Sequence, residues 1–193
     1  KHPLRPSREA EKEVGVSSRT VLSSDDIGRA ITRIAHEILE SNHGTDDLVI
    51  LGIPTRGVLL AERIAEIIRR NGAAMPADFL GRIDITLHRD DLSQNAVREI
   101  TPTVIPAGGL DDKVVVIVDD VLFTGRTVRA ALDAINAIGR PRAVRLAVLV
   151  DRGHRQLPIR ADFVGKNLPT SKDERVFVNL APVDSNDSVV IEQ

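Results

Sequence analysis

The sequence predicts an α/β protein, a central parallel β-sheet flanked by helices on both faces. Three observations carry this. A short apolar run, a turn and an apolar-periodic helix follow one another twice, over residues 48–70 and again over 113–138. The runs are apolar throughout rather than alternating, which is the pattern of strands covered on both faces. A further apolar run at 143–150 follows the second of these helices, and strand–helix–strand order implies a parallel sheet. With 193 residues the chain suffices for one domain with a sizeable core and is short for two.

The elements follow in order. Residues 1–20 are polar and charged without a period and read as a disordered lead, leaving 21–193 as a single domain. Ser24 reads as a helix cap; behind it Ile27, Ile31, Ile34, Ala35, Ile38 and Leu39 fall at helical spacing, and Asn42 to Gly44 stop the helix. Residues 48–53 form a buried strand, 54–57 a turn and 58–70 an amphipathic helix. Ile83, Ile85 and Leu87 alternate, so 82–87 reads as a strand. Residues 88–109 show no period and hold two prolines and two glycines; loops of that length in a compact domain are usually functional. A buried strand over 113–118 leads through 119–127 to a helix over 127–138 with Gly139 just past its end. After the strand at 143–150 comes an irregular basic segment, 151–172, and the short strands 176–180 and 189–191.

Composition narrows the class. There is no cysteine, hence no disulfide framework and no thiolate metal site. No apolar window approaches the roughly 18 residues of a membrane span, and no signal-peptide core opens the chain. A cytoplasmic protein is the expectation. The start at Lys1 rather than Met reads as trimmed or tag-derived. The net charge of −2 argues against nonspecific nucleic-acid binding, but its distribution is polarised. Residues 140–172 hold eight Lys/Arg against two Asp, a net +6 that leaves −8 for the rest.

Ligands of open parallel sheets bind beyond the carboxyl ends of the strands. Three loops sit there: 54–57, 119–127 and 151–155. The middle one is the most informative. In VVVIVDDVLFTGRT, residues 114–127, an apolar strand runs into Asp119 and Asp120, then into Thr124-Gly125-Arg126-Thr127 at a helix N-terminus. Carboxylates at a buried strand's end cannot enter the core unpaired, so they face solvent, a ligand or a cation. They accept hydrogen bonds well from vicinal hydroxyls such as those of a ribose. The following turn offers backbone N–H groups and two hydroxyls, an anion cradle. Together these describe a sugar-phosphate site. The plainer alternatives are two solvent-facing acids without a role, or a Walker-B strand. The latter needs a Gly-x-x-x-x-Gly-Lys-Ser/Thr loop, which is absent, as is a Rossmann Gly-x-Gly-x-x-Gly.

The same stretch resembles the PRPP-binding signature of type I phosphoribosyltransferases. The resemblance extends to Ile31-Thr32-Arg33-Ile34-Ala35-His36-Glu37, to GIPTRG at 52–57, to DITLHRDDLS at 84–93 and to VLVDRGHRQLPIRADFVGKNLPTS at 148–171. Over roughly 21–191 it is similar to the bacterial pyrimidine-operon regulators of that family, RNA-binding attenuators with uracil phosphoribosyltransferase activity.

The resemblance implies a type I phosphoribosyltransferase fold whose small hood is built from roughly 151–193 and part of the N-terminal helix region. It implies that Asp119 and Asp120 hold the ribose hydroxyls of PRPP, that Thr124, Gly125, Arg126 and Thr127 hold the 5′-phosphate, and that Thr55, Arg56 and Gly57 hold the diphosphate. Loops of the last kind often carry a cis peptide. Pro54 would stiffen this one and removes one N–H donor. Residues 88–102 would be a lid begun by Arg89, Asp90 and Asp91, with Arg98 further along. His88 and Phe123 stand where tyrosines are expected. Asp119, Asp120, Arg56 and Arg89 are the implied catalytic set. Uracil would meet Asp151, Phe163, Val164 and Gly165, although Phe163 fits a core position equally well.

Mg²⁺ would arrive mainly on PRPP, with no dedicated metal site in the protein. The RNA face would use Thr32, Arg33 and His36 on the first helix and Arg152, His154, Arg155 and Arg160, with Lys166 and Lys172, in the basic segment. Implied partners are PRPP, uracil, UMP or UTP and the pyrimidine-operon leader mRNA; a homodimer or higher homo-oligomer is expected and a membrane is not. The competing expectations are a salvage phosphoribosyltransferase without an RNA role and a catalytically silent nucleotide sensor.

Overall fold

The structure, a computed structural model, describes residues 17–71, 78–89 and 101–193. Eight strands and three helices build it: β1 (Ser18–Leu22), α1 (Ser24–Ser41), β2 (Leu48–Gly52), α2 (Arg56–Arg70), β3 (Leu80–Arg82), β4 (Val114–Leu122), α3 (Arg126–Ile138), β5 (Ala143–Asp151), β6 (Phe163–Asn167), β7 (Arg175–Asn179) and β8 (Ser188–Glu192). Strands β3-β2-β4-β5-β6 form one sheet in that order, every pairing parallel. A second sheet, β1-β8-β7, is antiparallel.

The two-sided apolar runs do what their pattern requires. Alternate residues of each central strand enter opposite cores. Leu48, Ile50, Val116, Val118, Ala147 and Leu149 face α1, α2 and the small sheet. Val49, Leu51, Val115, Ile117, Leu146 and Val148 face α3. Each buried Leu, Ile or Val contributes on the order of 1.5–3 kcal/mol, so the sheet forms a stiff platform for the loops at its carboxyl edge.

Several boundaries differ from the sequence reading. The cap of α1 is Ser23, not Ser24: the Ser23 hydroxyl accepts the Asp26 N–H at 3.3 Å and Asp26 accepts the Ser23 N–H at 2.9 Å, a reciprocal capping box. The expected disordered lead is corrected at its end, because 18–20 are strand; they pair with β8 although they carry no apolar period. The alternation at 82–87 is not a strand: β3 ends at Arg82, and Thr86–His88 form a single 3₁₀ turn. The basic segment 151–172 is not irregular throughout. Its residues Phe163–Asn167 are the fifth strand of the main sheet, so they do not belong to the hood. A separate three-stranded sheet, β1-β8-β7, stands where the C-terminal part of the hood was expected and includes β1 from the N-terminal end. Finally, β4 runs on to Leu122, carrying both acids inside the strand rather than just past it.

Candidate active site

Three chain segments meet at the carboxyl edge of β2 and β4. The first is Pro54–Arg56. Its approach is set by Gly57, where a Cβ would lie 2.4 Å from the Val118 carbonyl oxygen. Only a residue without a side chain lets the start of α2 press this closely on β4. The Pro54–Thr55 peptide is cis. The second is Asp119-Asp120. Asp119 is 7% exposed, and its Oδ1 accepts the Asp120 N–H at 2.9 Å. Asp120 Oδ1 accepts the Val121 N–H at 2.8 Å. These backbone bonds fix the carboxylates at the rim. The third is the 3₁₀ turn, where Asp84 Oδ1 accepts the Thr86 N–H at 2.9 Å and its hydroxyl at 2.6 Å.

A cleft of about 530 Å³ lies between them. Thr55, Arg56, Arg89, Asp119, Asp120 and Thr127 all line it. Asp84, Thr86 and Thr101 complete the wall and were not singled out from the sequence. The signal for Asp84 was present, since Asp-x-Thr is a side-chain-capped turn, but the alternation of Ile83, Ile85 and Leu87 hid it. Asp90, Asp91 and Arg98, expected in a lid, lie outside the described residues.

Residues 124–127 form a turn at the start of α3, of which Thr127 lines the cleft. Gly125 takes φ +93° as the N-cap of α3 and offers no side chain to the first turn. The Thr124 hydroxyl accepts the Arg126 N–H at 3.3 Å. Outside the turn, the Thr124 carbonyl accepts the Gln156 and Leu157 N–H groups, and Arg126 Nε donates to Gln156 Oε1 at 2.9 Å. The 153–159 loop therefore backs the turn and holds its shape.

Charge in the cleft is balanced by a long-range pair. Arg56 donates from Nε and Nη2 to both oxygens of Asp184, at 3.0 and 2.9 Å. That pairing, reinforced by the field of Asp120, raises the Arg56 pKa against the opposing effect of burial. Reciprocally, Arg56 and the Leu180 N–H hold the Asp184 carboxyl below the ordinary carboxylate range. Asp184 sits in the β7–β8 connection, and nothing in its local sequence marks it.

The expected base contacts are placed elsewhere. Phe163 is buried in the core shared with α1. The carbonyls of Val164 and Gly165 accept Arg33 Nη1 and Nη2 at 3.1 and 2.6 Å. Asp151 accepts the Gly153 N–H and pairs with Arg155. Asp151, Phe163 and Val164 line a separate depression of about 490 Å³ against α1. Phe163 has a packing role fixed by the register of β6 against β5, while Asp151 ends β5 and Val164 lies on β6, and none of the three lines the cleft of Asp119 and Asp120.

The expected RNA face divides. Thr32, Arg33 and His36 line a shallow depression of about 610 Å³ on the outer side of α1 and are exposed, as is Arg160. Arg152 is only 6% exposed, with Nη2 bound to the carbonyls of Ser171 and Glu174, so the expectation of a solvent-facing charge there is corrected. His154 Nε2 lies 2.6 Å from the Thr170 carbonyl. Arg155 donates to the carbonyls of Phe123, Gly153 and Ile159. These three fasten the 152–159 loop.

Among known proteins, residues 17–186 match the family model described as the phosphoribosyl transferase domain. The chain belongs to the phosphoribosyltransferase family, among its bifunctional PyrR proteins. It is 63% identical to the bifunctional protein PyrR of Leifsonia xyli over 91% of this chain and 97% of the relative. The PyrR protein of Streptomyces coelicolor is 59% identical over 90% and 89%. The fold is shared with the hypoxanthine phosphoribosyltransferase of Trypanosoma cruzi in complex with IMP (TM-score 0.66, 15% identity, 98% of both chains). Membership in this family makes the chain a transferase of the phosphoribosyl group, with the fold its parallel sheet predicted. No described helix is long and apolar enough to cross a membrane.

Proposed function

We propose that this chain transfers the 5-phosphoribosyl group of PRPP to uracil, forming UMP and diphosphate, and that it also binds RNA as a cytoplasmic regulator of pyrimidine genes. The observation that carries the first part is the convergence of Asp119, Asp120, Thr55, Arg56 and Thr127 on one cleft. Asp119 and Asp120 accept the ribose hydroxyls. The Thr124–Thr127 turn takes the 5′-phosphate on backbone N–H groups and hydroxyls. Thr55, Arg56 and Gly57 receive the diphosphate. The bond from ribose C1 to the diphosphate oxygen breaks as C1 bonds uracil N1, which gives up its proton. The sugar is cationic midway, so fixed carboxylates and well-placed reactants supply the acceleration without a nucleophilic residue.

Members of the family generally use Mg²⁺ with PRPP. Asp84, Asp119 and Asp120 line the cleft that such an ion would enter on the diphosphate, where it would offset negative charge.

The RNA partner proposed is the pyrimidine-operon leader mRNA, bound in response to UMP or UTP to attenuate transcription. The exposed residues Thr32, His36 and Arg160 support this, presented twice by a homodimer or higher homo-oligomer, whereas Arg33 beside them is tied to the Val164 and Gly165 carbonyls. Internal engagement of Arg152, His154 and Arg155 favours the salvage enzyme without an RNA role. Two measurements separate the readings. Uracil, PRPP and Mg²⁺ should yield UMP, and no UMP at all would leave a silent sensor. Leader RNA should shift on a gel in proportion to added UMP, and no shift at any UMP concentration would leave the salvage enzyme.

A further inference from the structure

Helix α2 presents Arg56 and Arg63, two turns apart on one face, to the connection between β7 and β8. Each finds an aspartate there. Arg63 Nη1 and Nη2 reach Asp187 at 2.5 and 3.0 Å, and Nη2 also donates to the Ala181 carbonyl at 2.8 Å. That pair lines a polar depression below the hood, away from the cleft. Arg56 with Asp184 is built differently. Arg56 is the first residue of α2 and lines the cleft itself. Asp184 is held in turn by the Leu180 N–H at 2.7 Å and by its own N–H to the Leu180 carbonyl at 2.9 Å.

A guanidinium has two edges that can grip an oxyanion in bidentate fashion. Asp184 occupies the Nε–Nη2 edge. Nη1 has no acceptor among the described residues, which leaves the outer edge for a second anion. We infer that Asp184 is a positioning residue for the phosphoribosyl transfer: it holds the outer edge of Arg56 toward the place where diphosphate departs. The inference rests on the reading above that diphosphate sits at Thr55–Gly57. Without Asp184 the long Arg56 side chain would sample many rotamers, and its donors would have to be ordered by the substrate at an entropic cost. With it, the hood and the diphosphate loop are one unit. The arrangement also gives the hood a reason to be stitched to α2 by two pairs: Arg63–Asp187 anchors, and Arg56–Asp184 aims.

The test is a double-mutant cycle on the full chain, reading calorimetric affinity for Mg²⁺-diphosphate and the KM values for PRPP and uracil. Arg56→Ala and Asp184→Asn should each weaken diphosphate binding and raise the PRPP KM by roughly tenfold, and the double variant by no more than either alone. The uracil KM should stay unchanged, and Asp184→Glu should recover part of the loss. Asp187→Asn should lower the melting temperature and leave diphosphate affinity unchanged, which a merely structural effect of loosening the hood would not do. If Asp184→Asn proves unstable, the Asp184→Glu variant carries the comparison. Normal or tighter diphosphate binding by Asp184→Asn, with Arg56→Ala weakened, overturns the inference, as do additive losses in the double variant. If Arg56→Ala itself binds diphosphate normally, the placement of diphosphate at this loop fails instead.

Discussion

The guanidinium of Arg152 lies 4.1 Å above the centre of the Phe123 ring. The contact joins the end of β5 to the residue just before the turn at 124–127, and the His154 ring meets the same phenyl edge-on at 6.2 Å. Arg152 is buried, its Nη2 serves two carbonyls and its Nε has no hydrogen-bond partner among the described residues. Such a group is tolerated where the ring face offsets part of its desolvation. Arg152→Leu strips the Ser171 and Glu174 carbonyls of their donor and should cost about 2–4 kcal/mol in denaturant unfolding. An unfolding midpoint equal to that of the parent would show that the burial contributes nothing.

Asp120→Asn keeps shape and hydrogen bonds to the backbone but loses the charge offered to the ribose. UMP formation should fall by about 10- to 100-fold while the melting temperature barely moves, since a hydrogen bond to a charged group is worth about 1.5–3 kcal/mol. Unchanged turnover would remove this carboxylate from the sugar site.

Gly57→Ala tests the close approach of α2 to β4. A methyl group 2.4 Å from the Val118 oxygen must push the backbone apart. The expected loss is about 1–3 kcal/mol of stability, and about 100-fold in activity, because displacing the diphosphate loop by an ångström misaligns the reacting atoms. Thermal melts and initial rates measure the two effects separately.

The acid limb of stability should depend on Asp187. Arg63 holds its carboxyl below the ordinary range, with the Ala181 N–H adding to the effect and burial opposing it. A depressed folded pKa means the stabilisation is fully present above the unfolded value of about 3.9, and is lost as pH falls through the lower folded value. Asp187→Asn should therefore destabilise the protein at neutral pH and make its stability less sensitive to acid as pH falls below the unfolded carboxylate value of about 3.9. Parallel pH–stability curves for variant and parent would refute this.

The sheet was legible because its signals are local. Runs such as Val114–Val118 are apolar on both sides and cannot be mistaken for a half-exposed strand. The turn at 124–127 was legible for the same reason, its hydroxyls and glycine being contiguous. What escaped was set by distance or by register. Thr20 carries no apolar signal yet is strand, because Val190 lies beside it. For Phe163 the sequence left a base contact and a core position equally open, and pairing of β6 with β5 opposite Ala147 places it in the core. Arg152 read as surface charge because burial of an arginine depends on carbonyls about 20 residues further along. Asp184 was invisible because its partner lies 128 positions away.

The pairing of Thr20 with Val190 spans 170 positions, and both strands belong to the three-stranded sheet that also frames the Asp184 connection. Contacts so remote in sequence close slowly, whereas the β2–α2 and β4–α3–β5 units need only neighbours. Sequence separation alone predicts that the parallel platform would collapse first and that the outer three-stranded cover would pair with it afterwards. A newly made molecule would then pass through an interval in which it already has a phosphate cradle but no aimed Arg56, so capacity to hold a nucleotide would mature before capacity to turn one over.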